Sequence, residues 1–321
     1  MSKFILSLVT FISISAAEAA APETTPKLRI VLPSAELKTL NGLEKTNFEI
    51  SPPHEASIIF DLPITYNSRV QSWIHHYQGA GKKWFRKWLE RSEKYIPSIQ
   101  RVLDMRGLPK DLAYVVMIES GFSSHAVSTA DAVGPWQFIQ ATAERYGLTI
   151  NWWLDERRDM YKSTIAAANY ISDLFRMFGS WYLVAAGYNM GENKVKKLIE
   201  KHQTRNFWIL SKKGAFSQET TNYVPKLIAA MLISKAPGLY GFRELKPHPP
   251  TPFETIYVPG GTDLVGIASH LGINYQYLKG LNPELLHGFI PKVARNHKIK
   301  IPKGSTKMVS NYLEQKILAK Q

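Results

Sequence analysis

The sequence predicts a mainly α protein, an all-helical domain followed by a small α+β domain, and three observations carry that prediction. From about residue 66 to 236, apolar residues recur at helical spacing between short connections. Pro247-His248-Pro249-Pro250-Thr251-Pro252 then forms a stiff, extended linker, since each proline fixes its φ and disfavours helix in the residue before it. Beyond the linker the pattern changes to strand, helix, helix, strand within residues 253–303, a small α+β unit.

At the N-terminus, Lys3, the apolar run Phe4 to Ile12 and Ala17-Glu18-Ala19 in A-x-A form predict a secretory signal peptide over residues 1–20. The apolar run is short for a membrane span, and no other stretch is long enough. Cysteine is absent, which excludes disulfides, thiol chemistry and a lipid-accepting cysteine. The expectation is a periplasmic or secreted monomer without a stable membrane anchor. Residues 21–56 mix Pro, Thr, Ser and charge without a period and read as a loosely ordered lead-in.

Residues 57–106 read as an N-terminal helical segment packed on a larger helical domain of 107–245. Ile58 to Pro63 forms a short strand or extended arm. Asn67 or Ser68 caps a helix carrying Val70, Trp73, Ile74 and Tyr77, stopped by Gly79 to Gly81. A second helix places Trp84, Trp88 and Leu89 opposite a basic face, and a third runs from Pro97, a residue suited to the first helical position, to Met105.

Leu112, Val115, Val116 and Glu119 fall at i, i+3, i+4 and i+7, so a helix sets the Glu119 carboxylate on an inward-facing apolar stripe. Gly121 ends that helix, which brings Glu119 to the rim of a cleft. Desolvation raises the pKa of such a carboxyl and makes it a proton donor near neutral pH; pairing with an arginine or a backbone amide is the alternative. After a polar loop from Ser123 to Asp131, Pro135 opens a predicted helix to Gly147. It carries Trp136, Ile139, Ala143 and Tyr146 on one stripe and Gln137 at its exposed start. Ser163 or Thr164 begins a helix through Phe178, and Trp181 to Tyr188 begins the next. Asn189 to Asn193 interrupts it before Lys194 to His202, and Asn222 to about Lys235 closes the group.

Residues 246–252 are the linker. In the second domain, Phe253 to Val258 alternates as a strand, Asp263 to Leu271 and Tyr275 to Leu281 read as helices, and Lys298 to Pro302 as a closing strand. Within residues 304–321, Val309 to Leu318 forms a last amphipathic helix. The net charge of +14 favours a polyanionic partner, either nucleic acid, anionic lipid or an acidic wall polymer. Lys and Arg are scattered rather than massed, which weighs against nucleic acid. The nine histidines show no paired metal-ligand spacing, so neither a metal nor a cofactor is expected.

Four ordered motifs, Glu119-Ser120-Gly121-Phe122, Gly134-Pro135-Trp136-Gln137, Gly187-Tyr188-Asn189 and Glu219-Thr220-x-x-Tyr223-Val224-Pro225, together resemble the soluble-type (SLT) lytic transglycosylase family. That resemblance implies a lysozyme-like helical fold over residues from about 60 to 245, with N-terminal helices ahead of the catalytic glutamate. It implies peptidoglycan glycan strands as substrate, with Glu119 as general acid and then base in a non-hydrolytic cleavage that leaves 1,6-anhydro ends. It further implies that Ser120, Gln137, Tyr188 and Asn189 line sugar subsites, with Tyr223 and Glu219 orienting the site. Tyr223 is equally at home in a core, and Trp136 is either a sugar-stacking wall or a core plug. Gly187 stands where the family usually has Ala, a small-for-small change.

Tyr257 to Leu264, Ile267-Ala268, Leu271-Gly272-Ile273, Leu278 and Leu281-Asn282-Pro283 resemble a LysM peptidoglycan-binding module. A longer segment between Pro283 and His297 departs from its pattern, and a spacer that binds no sugar is the alternative. Two further readings stay open at the level of sequence. One is a lysozyme-type hydrolase using Glu119 with Asp131, the only carboxylate between Glu119 and Gln137; the other is a non-catalytic wall-binding protein.

Overall fold

A computed structural model describes residues 28–30 and 58–318; the signal peptide expected over 1–20, and the expected lead-in of 21–56 apart from Leu28–Ile30, lie outside the described residues. Strand β1 (Leu28–Ile30) pairs antiparallel with β2 (Ile58–Phe60), so the stretch at Ile58 is a strand, and Phe60 is buried in the main core.

Helix α1 (Ser68–Gln78) starts where its cap dictates, with Asn67 Oδ1 accepting from the amides of Arg69 and Val70, both at 3.1 Å. The second and third predicted helices are one continuous helix, α2 (Lys82–Asp104), with Pro97 inside it. Proline removes one amide donor, but Phe85, Leu89, Ile99 and Leu103 continue a single buried stripe on both sides of it, and that packing carries the helix through. A 3₁₀ turn, Lys110–Leu112, then leads into α3 (Ala113–Ser120), which ends at Gly121 with φ +58°.

The helix expected from Pro135 to Gly147 does not form as such. Val133 and Phe138 instead exchange backbone hydrogen bonds (3.0 and 3.2 Å) across a tight turn, and α4 spans only Gln140–Arg145. The left-handed conformations of Gly134 (φ +83°) and Gln137 (φ +51°) close that turn and are incompatible with helix. Helix α5 (Met160–Phe178) begins three residues before the predicted Ser163, because Asp159 caps it: its Oδ1 accepts from the Lys162 amide at 2.8 Å. Helices α6 (Trp181–Met190) and α7 (Glu192–His202) are divided at Gly191, and α8 (Phe207–Lys212) has no counterpart in the sequence reading. Helix α9 (Gln218–Lys235) starts earlier than Asn222 because Ser217 caps it, and it contains Pro225.

The second unit is strand, helix, helix, strand as predicted. Strand β3 (Phe253–Pro259) pairs antiparallel with β4 (Asn296–Pro302) around α10 (Leu264–Leu271) and α11 (Tyr275–Leu281), and α12 (Thr306–Leu318) packs alongside. Its core of Val258, Leu264, Ile267, Leu278, Ile299 and Ile301 also takes in Trp153 and Leu154 from the helical domain. Among the described residues no helix is long and apolar enough to cross a membrane.

Candidate active site

An eight-residue helix such as α3 has little stability of its own, so its placement comes from contacts at both ends. At the start, Asp61 accepts from the amides of Lys110 (2.6 Å) and Asp111 (2.9 Å), while Asp111 accepts from the Asp61 amide at 2.9 Å. Lys235, near the end of α9, pairs with the Asp111 carboxylate at 2.5 Å. At the other end Lys226 Nζ donates to the Ile118 carbonyl at 3.0 Å, and Arg91 Nη1 donates to that of Gly121 at 3.2 Å. Gly121 is obligatory there, since a Cβ would come 2.1 Å from Trp88 Nε1.

Glu119 is held at this fixed end. Tyr223 Oη donates to its Oε1 at 2.5 Å, a charge-assisted geometry when the carboxyl is ionised. Burial pushes the Glu119 carboxyl up to about 7; the Tyr223 hydrogen bond and the nearby Lys226 charge pull it down, and the Glu219 charge adds to the rise. The Tyr188 and Tyr223 hydroxyls are held well above their ordinary range, chiefly by burial and then by the adjacent Glu119 charge, so both stay protonated donors. Burial also lowers the Lys226 ammonium, opposed by the charges of Glu119 and Glu219.

The remaining predicted residues converge on the same end of α3. Ser120 Oγ donates to the Pro135 carbonyl at 2.8 Å, and Tyr188 Oη donates to that of Trp136 at 2.7 Å, so both tie the Gly134 turn to the glutamate's surroundings. Within the turn, Gln137 Nε2 donates to Gly134 O at 2.8 Å. Asn189 Nδ2 donates to Glu219 Oε1 at 2.9 Å and its Oδ1 accepts from Thr220 at 2.7 Å, linking α6 to α9.

Two open readings resolve and one expectation changes. Trp136 has no exposed surface and its Nε1 donates to Thr164 Oγ1 at 2.9 Å, so it is a core plug and offers no face for a sugar to stack on. Asp131 sits in an exposed turn after Ser128, and the carboxylate whose charge reaches Glu119 is Glu219. Gly187 is less interchangeable with Ala than its size implies, since a Cβ there would come 2.8 Å from the Phe178 ring. Sequence reasoning also missed Lys226, although it lies three residues after Tyr223 on α9 and interrupts an apolar run. Among the described residues no group of three or more His, Cys, Asp or Glu is arranged to hold a metal ion.

The described residues thus form a helical body with Glu119 at the end of a short helix, followed by a βααβ unit. Residues 97–211 match the family model described as Transglycosylase SLT domain, and residues 252–316 match that of the Lytic transglycosylase MltD, LysM-like domain. The chain thus carries an SLT domain followed by a LysM-like domain. It is similar to membrane-bound lytic murein transglycosylase D of Escherichia coli (strain K12), 33% identical over 226 residues, which is 69% of this chain and 49% of the relative. Membrane-bound lytic murein transglycosylase C of Serratia proteamaculans (strain 568) is 25% identical over 136 residues, 38% of each chain. The chain spans about half the length of the Escherichia coli relative. The solved 70 kDa soluble lytic transglycosylase Slt70 of Escherichia coli aligns with a TM-score of 0.39 at 16% identity, over 52% of this chain and 30% of that one.

Proposed function

We propose that this protein is a peptidoglycan lytic transglycosylase that cleaves the β-1,4 bond between N-acetylmuramic acid and N-acetylglucosamine without water, in the periplasm or outside the cell. Glu119, protonated, donates to the glycosidic oxygen as the C1–O bond breaks. The resulting carboxylate takes the proton of the muramyl 6-hydroxyl as that oxygen attacks C1, which closes a 1,6-anhydro ring and restores the acid. One group serves as acid and base in turn, and the substrate supplies the nucleophile.

The observation that carries this reading is Glu119 itself, a carboxyl pushed up to about 7 by burial and held at Oε1 by a tyrosine hydroxyl. A hydrolase of the two-carboxylate type needs a second free acid beside the bond. Asp131 is exposed, and Glu219 is engaged by Asn189. The similarity to a murein transglycosylase over 69% of the chain supports the same substrate class. In this reading Ser120, Gln137, Tyr188 and Asn189 border the sugar subsites. The amide nitrogen of Gln137 is committed to Gly134 O, so its Oε1 is the group left for a substrate donor.

Mass spectrometry of fragments released from purified sacculi tests the proposal. Anhydro-muropeptides from the parent protein, lost in Glu119→Gln, are the expected outcome. Reducing-end products would transfer the assignment to a hydrolase.

A further inference from the structure

The segment between Pro283 and His297, which lies inside the LysM-like match, is where the small domain grips the helical one. The Asp155 amide donates to Glu284 O at 2.9 Å and the Leu286 amide donates to Trp153 O at 2.8 Å, a two-bond clamp, while His287 Nε2 lies 3.0 Å from Trp152 O. Trp153 and Leu154 enter the module's own core beside Leu285. Lys300 Nζ bridges the buried carboxylates of Asp159 and Glu284, the latter at 3.1 Å. The linker is held as well, with the His248 amide donating to Glu90 O on α2 at 2.8 Å.

The gripped loop, residues 152–159, is the one that supports the Gly134 turn. Arg157 makes a bidentate pair with Asp155, Nε to Oδ1 and Nη2 to Oδ2, both at 2.9 Å. Its Nη1 donates to the carbonyls of Asp131 and Phe138, both at 3.2 Å, at the two ends of the turn. The Arg157 carbonyl lies against Gly134 so closely that a Cβ there would approach it to 2.0 Å. That turn in turn accepts the hydroxyls of Ser120 and Tyr188 through Pro135 O and Trp136 O. A connected path of packed polar contacts therefore runs from Lys300 to the neighbours of Glu119.

We propose that the LysM-like module is a fixed buttress of the catalytic cleft, with Lys300 and Glu284 acting as positioning residues that hold the 152–159 loop, and through it the Gly134 turn, in register with Glu119. The catalytic side of this inference rests on the transglycosylase reading above; the docking does not. A shift of about 1 Å in groups bordering a reacting bond lowers turnover by up to about 100-fold, so the module sets kcat rather than only retaining the enzyme on the wall.

The test compares the full chain with Lys300→Met, Glu284→Gln and the charge-conserving Lys300→Arg. Turnover is measured on a soluble glycan fragment short enough to fill only the cleft, and calorimetry follows unfolding. The expected result for Lys300→Met is a kcat lower by about tenfold or more with KM unchanged, and a module melting apart from the helical domain. Glu284→Gln gives a smaller loss, and Lys300→Arg recovers most of the parent's kcat. A kcat within twofold of the parent's in Lys300→Met, with the module docked or free, overturns the inference, as does a change confined to KM. If the parent itself releases no anhydro-products, the functional reading fails. Calorimetry of Lys300→Met then still decides the docking, with separate transitions upholding it and one unshifted transition overturning it.

Discussion

Replacing Glu119 by Gln should make the folded protein more stable at alkaline pH while abolishing cleavage. In the folded state burial holds this carboxyl at about 7, against an ordinary value of 4.5. Between those two values the folded state keeps a proton that the unfolded chain has lost. The protonated acid therefore carries its full stability below about pH 4.5, and that stability is lost as the pH rises through about 7. The gap between 4.5 and about 7, at about 1.4 kcal/mol per unit, gives about 3 kcal/mol at pH 8. Gln cannot ionise, and its amide oxygen can still accept from Tyr223, so the variant behaves as a permanently protonated Glu119. For a body of this size about 3 kcal/mol corresponds to about 6 °C in Tm. The assay is thermal unfolding of parent and variant from pH 4 to 8.5, read as the difference between them. The Glu119→Gln advantage should grow by about 6 °C between the two ends. A difference that stays flat across that range refutes burial as the origin of the proton affinity. A difference that runs the other way would mean that Glu119 is ionised and paired in the folded state.

Other substitutions probe the surroundings of the acid. Tyr223→Phe removes a hydrogen bond that favours the ionised carboxyl, so the alkaline limb of the pH–kcat profile should move to higher pH while kcat falls by about 10- to 100-fold; an unmoved limb would detach Tyr223 from Glu119. Gly134→Ala must fit a Cβ 2.0 Å from Arg157 O at φ +83°, and a loss of about 3 kcal/mol or more in urea unfolding is expected, with activity lost in proportion. Trp136→Ala empties a fully buried site and should destabilise by about 3–5 kcal/mol, leaving KM for glycan unchanged in whatever fraction folds. A stable Trp136→Ala protein with a raised KM would restore the tryptophan to the sugar path.

Much of this arrangement was legible before any coordinates. Helix α3 could be placed because Leu112, Val115, Val116 and Glu119 share a stripe and Gly121 stops it, both local signals. The βααβ unit was equally plain, since a strand period, two helical periods and a second strand follow a proline-rich break. The Gly134 turn was misread because Pro135 is a valid helix starter, and what cancels that signal is the left-handed backbone of Gly134 and Gln137, held by Arg157 from a distant loop. Pro97 was misread in the opposite sense, as a start where packing carries the helix through. Lys226 and the Asp155–Arg157 pair carry no motif of their own, and their placement depends on tertiary contacts that no local window contains.

The knot of Asp61, Asp111 and Lys235 has a consequence for when this chain can act. The contacts that seat α3 reach 49 residues back, from Lys110 to Asp61, and 108 residues forward, from Ile118 to Lys226. Pairings so distant in sequence form late in folding, after the loops between them have closed. A nascent or partly threaded chain thus contains the glutamate but not the environment that makes it an acid near neutral pH. On the proposed function, cleavage of the glycan would then arise only when the whole helical body is complete, a safeguard written into contact order.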